Sequence, residues 1–259
     1  MLTRMALGSG SIDAASFMTL RLASGAVMLL LIRAFSQGKP TVQLRGNWTA
    51  AMMLFLYAVT FSFSYLQLAA GTGALILFGS VQVTMILVAL KQGEQPQLLE
   101  WVGLLMALIG LIYLVSPGLA APPLLGSMLM VIAGIAWGFY SLLGRSSRDP
   151  VAYTTVNFVR AVPFAISVSL VNLSEMHFTL NGGVLALLSG TLASGVGYAI
   201  WYAALKGLTA TRAATVQLAV PAIAAMGGIL FLQESLSMRL VVASLMILGG
   251  IGLAVVGRR

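Results

Sequence analysis

The sequence predicts an all-α polytopic membrane protein made of two inverted five-helix repeats, a ten-helix design of which about nine helices are present. Three observations predict it. Of the 259 residues, 59% are apolar and 8% charged, and the mean hydropathy is +1.01, whereas soluble domains carry about 25% charged residues. Apolar runs recur at the length of roughly 20 residues that crosses a bilayer as a helix. The chain also matches itself when shifted by 140 residues. With 14 basic and 6 acidic residues, no globular surface could be covered, so a water-soluble enzyme is excluded. So is a disordered chain, because this much apolar surface cannot stay solvated.

The runs follow one another as 17–33, 48–68, 72–90, 98–116, 124–143, 154–173, 183–205, 213–232 and 239–256. None shows the period-2 alternation of a barrel strand, and a helix satisfies its own backbone in lipid, so each is read as a helix. The first ends in the polar stretch Gln37-Gly38-Lys39-Pro40. The third closes before Gly93 and Pro96, and the fourth at Ser116-Pro117-Gly118 with Pro122-Pro123 beyond. Asp149-Pro150 separates the fifth from the sixth, and Asn181-Gly182-Gly183 the sixth from the seventh. These are turn residues, placed where a helix must stop. No connection is long enough for a soluble domain.

Charge sets the expected orientation. Arg33, Lys39, Arg45, Lys91, Arg145, Arg148, Lys206, Arg212, Arg258 and Arg259 fall in alternate connections and the tail. The connections between them carry almost no cations: 174–182 holds only Glu175 and His177. Cations concentrate on the cytoplasmic side, which predicts a multi-pass protein of the bacterial inner membrane with a cytoplasmic C-terminus. The net charge of +8 is therefore read as topology rather than as affinity for nucleic acid. With no cysteine and one histidine, His177, disulfides, thiolate nucleophiles and most metal chemistry drop out. No catalytic residue, cofactor or metal is expected. The partners are a small-molecule substrate and the lipid bilayer, with a homodimer left open.

The 140-residue shift pairs Glu94 with Glu234 and Gly110 with Gly250, besides a series of apolar matches from Val102–Val242 to Val115–Val255. Arg21 and Arg160 correspond at a shift of 139. The second unit, 124–256, contains five helices, and an odd-numbered repeat re-enters the membrane from the opposite side. Residues 1–118 are the first repeat and 119–259 the second. The partner of Trp137-Gly138 would lie before Met1, so most of the first repeat's first helix is expected to be missing. A misassigned start codon is favoured over a nine-helix protein.

The second half reads Ala136-Trp137-Gly138-Phe139-Tyr140-Ser141-Leu142-Leu143-Gly144-Arg145, then Tyr202-Ala203-Ala204-Leu205-Lys206, Ala213-Ala214 through Pro221, Glu234 and Gly249-Gly250. In this order and spacing it resembles the EamA-type branch of the drug/metabolite transporter superfamily. The resemblance covers nearly the whole chain. It implies two inverted five-helix repeats and export of small metabolites such as amino acids by alternating access through a central cavity. The alternative is a non-transporting or inactive membrane paralogue lacking helix one. One departure is that Val81 stands in the first repeat where Pro221 stands in the second.

Polar side chains inside hydrocarbon are costly, so they face a cavity or another helix. On that ground Tyr57, Ser80, Gln82, Trp137, Tyr140, Ser194, Tyr198 and Gln217 are the candidate substrate-binding residues. The competing account is interhelical hydrogen bonding. Gln82 and Gln217 lie in corresponding helices, and Trp137 with Tyr140 and Ser194 with Tyr198 share faces at helical spacing. Trp48 and Trp101, at run edges, read as interfacial anchors. Pro221 removes a backbone donor in mid-run and is the candidate hinge. All six carboxylates lie at or beyond run ends. Arg21 and Arg160 sit several residues inside their runs and are expected to snorkel to headgroups. Gly134-xxx-Gly138 and Gly190-xxx-Ser194 read as close helix packing.

Overall fold

The computed structural model describes residues 1–37, 47–91, 97–115, 121–145, 147, 149–198, 200–201, 219–232 and 237–256. Among these the regular structure is helical: α1 (Leu2–Gly8), α2 (Ala14–Gln37), α3 (Trp48–Ser64), α4 (Ala70–Lys91), α5 (Leu98–Val115), α6 (Leu124–Arg145), α7 (Pro150–Val171), α8 (Leu180–Leu188), α9 (Ala219–Leu232) and α10 (Met238–Val256). The backbone of α8 runs on without a break into a π-helical segment, Ser189–Val196. Ala14–Phe35, Leu124–Gly144 and Val151–Val171 are, among the described residues, long and apolar enough to cross a bilayer, with mean hydropathies of 1.8, 1.7 and 1.4.

Polar residues start these helices by satisfying amides that have no intrahelical partner. Asn47 accepts from the Thr49 amide at 2.8 Å, and Asp149 from Ala152 at 3.0 Å, with Pro150 in the first turn of α7. Asp13 accepts from the Ser16 amide at 2.8 Å and from the His177 amide at 3.1 Å. The Asp13 amide donates to the His177 carbonyl at 3.0 Å and the Thr179 amide to Ser11 at 2.8 Å. A two-residue antiparallel clasp, Ile12 against Phe178, thereby ties the start of α2 to the start of α8. Asp13 and Asp149 are thus helix starters, and Glu175 is exposed.

The chain forms two compact units, each drawing helices from both halves of the sequence. One comprises residues 2–66 and 139–207; in it α2 packs on α7, on the π segment and on α8, and α3 on α7. The other comprises Met1, 67–138 and 208–259; here α5 packs on α10, and α4 on α9.

Glycines set the closest approaches. A Cβ added at Gly110 would lie 2.7 Å from Met246 Cβ and 3.0 Å from the Ile247 side chain. One added at Gly250 would strike the Gly103 carbonyl and the Ala107 backbone. As α5 advances from 103 to 110, its partner recedes from 250 to 246, so α5 and α10 are antiparallel. The pairing is also reciprocal: a shift of 140 carries Ala107 to Ile247 and Gly110 to Gly250, turning one contact into the other. The unit of residues 2–66 and 139–207 repeats the pattern. Thr19 Oγ1 donates to the Ala165 carbonyl at 3.0 Å and bonds Ser169 at 2.8 Å, while Gly25 meets Phe158. Thus α2 and α7 are antiparallel as well. Corresponding helices of two repeats run in opposite directions only when the repeats are inverted.

Outward side chains are large and apolar, among them Leu105, Ile109 and Ile112 on α5 and Leu245 on α10, each more than half exposed. Continuous apolar surface of this kind is suited to lipid rather than water.

Candidate functional site

In the 2–66 and 139–207 unit the Arg21 guanidinium is a buried polar group held by side chains of two other helices. It is 8% exposed. Its Nε donates to Ser194 Oγ at 3.2 Å and its Nη2 to Tyr57 Oη at 3.2 Å. Its Cζ lies 4.9 Å from the Phe61 ring centroid and 5.6 Å from that of Tyr57, within cation–π range. Nη1 is buried and has no hydrogen-bond partner among the described residues. This corrects the expectation that Arg21 snorkels. It sits seven residues into α2, about 10 Å along the axis at 1.5 Å per residue, and its side chain turns across α3 and the π segment rather than towards an end.

Local backbone chemistry places each partner. Ser194 Oγ donates to the Ser189 carbonyl at 3.1 Å, the five-residue offset of a π turn, a distortion frequent at functional sites. Gly190 makes this approach feasible: a Cβ there would collide with Ser24 Oγ and the Arg21 carbonyl. Tyr57 and Phe61 stand one turn apart on α3, and Tyr65 continues the row, with centroids 5.2 and 4.8 Å apart. Tyr198, half-buried, meets the edge of Phe158 at 5.6 Å. Tyr140 is fully buried in the same unit. Tyr57 and Ser194 are therefore brought together, through a residue absent from the expected set.

Ser80, Gln82 and Trp137 belong to the other unit. Ser80 is buried, but its Oγ donates back to the Ile76 carbonyl at 2.8 Å, and its Cβ faces Gly134. Thr84 donates to the Ser80 carbonyl at 2.7 Å and faces Gly138. These side chains form the bed on which α6 lies against α4. Gln82 is buried and Trp137 half-buried. A cavity of about 190 Å³ in this unit is lined by Gln67, Thr72, Leu114, Pro122 and Ser237, and Gln67 Oε1 accepts from the Gly126 amide at 3.1 Å. Gln217 lies outside the described residues. Pro221 is the third residue of α9; its place in mid-run involves 213–218, also outside them.

Arg160, the counterpart of Arg21, is half-buried over the Trp48 ring at 4.6 Å, and Phe164 meets Trp48 edge-on at 6.4 Å. Trp48 is itself 58% exposed. The two arginines that correspond in sequence thus occupy different environments.

Residues 124–256 match the EamA-like transporter family. The chain belongs to this family. An uncharacterized protein of Pseudomonas aeruginosa is 49% identical over 258 residues, covering 100% of this chain and 90% of its own. A protein of Clostridium kluyveri named an uncharacterized transporter is 25% identical over 265 residues, covering 95% of this chain and 85% of its own. A crystal structure at 18% identity aligns with a TM-score of 0.69 over 100% of this chain and 95% of that chain, which shows the shared fold. The matched family segment coincides with the five-helix unit that the internal repeat marks out. As an EamA-like transporter the chain is a multi-pass membrane protein, and the family points to transport rather than enzymatic turnover.

Proposed function

We propose that this EamA-like transporter exports small metabolites, amino acids among them, across the bacterial inner membrane by alternating access. The observation that supports this best is the polar cluster of Arg21, Tyr57 and Ser194 buried within apolar helices. A structural membrane protein has little reason to hold an arginine there, since ionisable groups inside the hydrocarbon region are costly and usually mark a substrate path. Inverted repeats supply the two related halves that alternating access rocks against each other. The positions of Lys and Arg favour a cytoplasmic C-terminus, and the repeats are taken as residues 1–118 and 119–259. Tyr198 is proposed as a further contact with substrate in that cluster's unit, Gln82, Trp137 and Gln217 as substrate contacts of the other unit taken by itself, and Pro221 as the hinge.

The test is flux of labelled amino acids in inside-out membrane vesicles and proteoliposomes, comparing wild type with Tyr57→Phe and Trp137→Ala. Export predicts accumulation in inside-out vesicles and a lower rate in both variants at equal protein level. Wild-type vesicles that accumulate no more label than vesicles lacking the protein would sink the proposal. Unchanged flux in both variants would move the binding site elsewhere.

A further inference from the structure

We propose that Arg21 is the anchor for a carboxylate on the transported molecule, so that the substrate class is small carboxylates carrying an apolar or aromatic body. The inference deepens the transport reading and rests on it. It begins from charge balance. Among the described residues, Asp13 is engaged by the Ser16 and His177 amides, Asp149 lies 4.0 Å from Arg33 and caps α7, and Glu175 is exposed. None of these neutralises Arg21. An uncompensated buried cation is strongly destabilising, and within a membrane it is retained for function.

The geometry narrows the ligand further. Nε is used by Ser194 and one Nη2 hydrogen by Tyr57. Both hydrogens of Nη1 and one of Nη2 have no acceptor among the described residues, and the outer end of the guanidinium is shared by Nη1 and Nη2. That end is a fork matched to two oxygens of one planar anion, which a carboxylate provides. Phe61 and Tyr57 lie over the guanidinium at 4.9 and 5.6 Å, so the anion approaches in the plane of the fork. The row Tyr57, Phe61 and Tyr65 offers the adjoining apolar surface for the rest of the molecule. Among the described residues no carboxylate stands beside Arg21 to pair with an ammonium group, so an amine without a carboxylate is rejected.

A phosphate of an anionic lipid shares the chemistry, and the experiment separates the two sources. Purified full-length protein is titrated with 3-phenylpropionate, L-phenylalanine and phenethylamine, and separately with phosphatidylglycerol in mixed micelles, reading thermal stabilisation. The two carboxylates should stabilise wild type and the amine should not. Arg21→Gln should weaken carboxylate binding roughly tenfold or more, the scale of a lost charge-assisted pair. Arg21→Lys should restore part of it, and Arg160→Gln should leave it unchanged. Far-ultraviolet circular dichroism and a monodisperse elution profile qualify each variant. The wild-type ligand series stands even if a variant fails to fold. The proposal is overturned if phenethylamine binds as well as the carboxylates, if neither carboxylate binds, or if a folded Arg21→Gln binds like wild type. It is also overturned if phosphatidylglycerol alone shows Arg21 dependence. Binding without flux would instead defeat the transport reading and leave the anion site standing, whereas flux without carboxylate selectivity would do the reverse.

Discussion

Ser194 shows how one hydroxyl can link backbone geometry to a charged group. It donates to the Ser189 carbonyl and accepts from Arg21 Nε, so Ser194→Ala loses both bonds and leaves the guanidinium held from the α3 side by Tyr57 and Phe61. The stability cost should be about 1 kcal/mol, since interhelical hydrogen bonds in membranes average about 0.6 and seldom exceed about 1.7 kcal/mol. The sharper test is a double-mutant cycle with Arg21→Gln, read as unfolding free energy in detergent. Two residues in direct contact should couple by about 0.5–2 kcal/mol, and strictly additive losses would show that the bond is absent. At this scale the sequence is informative about which residues are polar at depth, and Tyr57 and Ser194 follow from that alone. It does not say where a hydroxyl is spent. Ser80 satisfies itself on Ile76 four residues back, a common fate of helical serine. Nor does depth along a helix give the direction of a long side chain, which is why Arg21 reads as a snorkelling residue until its neighbours are known.

Among elements, the α5–α10 contact makes the most specific demand on sequence. Gly250→Ala places a methyl group against the Gly103 carbonyl and the Ala107 backbone; neither can move without displacing its helix. Overpacking of this sort costs about 1–3 kcal/mol. Gly252, on the same helix, has nothing within 4 Å of its added Cβ. There Gly252→Ala should be neutral or stabilising by up to about 1 kcal/mol, because alanine is the better helix former. Thermal unfolding of both variants decides it, and equal effects would mean that glycine acts here through helix propensity and not through the interface. The Gly110–Gly250 match is visible in the sequence because only a close approach fixes glycine at that place in both repeats. The π turn at Ser189–Val196 is not read from the sequence, since Ser189-Gly190 and Ser194-Gly195 suit close helix packing equally well and the apolar run continues through them. Helix starts were displaced for a related reason. The run at 154 begins four residues late because Asp149 and Pro150 are polar or rigid residues that belong to the helix start.

For the molecule as a whole, topology follows from counting. Antiparallel packing of α2 with α7 and of α5 with α10 pairs helices five apart in the ten-helix order, so the halves face opposite sides of the membrane. The two compact units cut across this repeat: one holds α2 with α7 and α3 with α8, the other α4 with α9 and α5 with α10. Composition can reveal that the chain spans a membrane and shift analysis that it repeats. Neither shows the exchange of helices, which depends on contacts far apart in sequence. Which half faces which side is decided by cations alone: Arg145 and Arg148 flank Ser147, whereas 174–182 carries only Glu175 and His177. The absence of cysteine makes the protein suited to testing this with single introduced thiols. Ser147→Cys and Ser174→Cys lie in connections at the two ends of α7, and the protein has no native thiol to compete for reagent. If the orientation proposed from the cations holds, a membrane-impermeant maleimide in intact cells labels Ser174→Cys and spares Ser147→Cys until the membrane is permeabilised. The opposite pattern would invert the orientation, and with it the direction of transport inferred from inside-out vesicles. Labelling of both in intact cells would mean that the ends of α7 lie on one side, which a single crossing by Pro150–Val171 forbids.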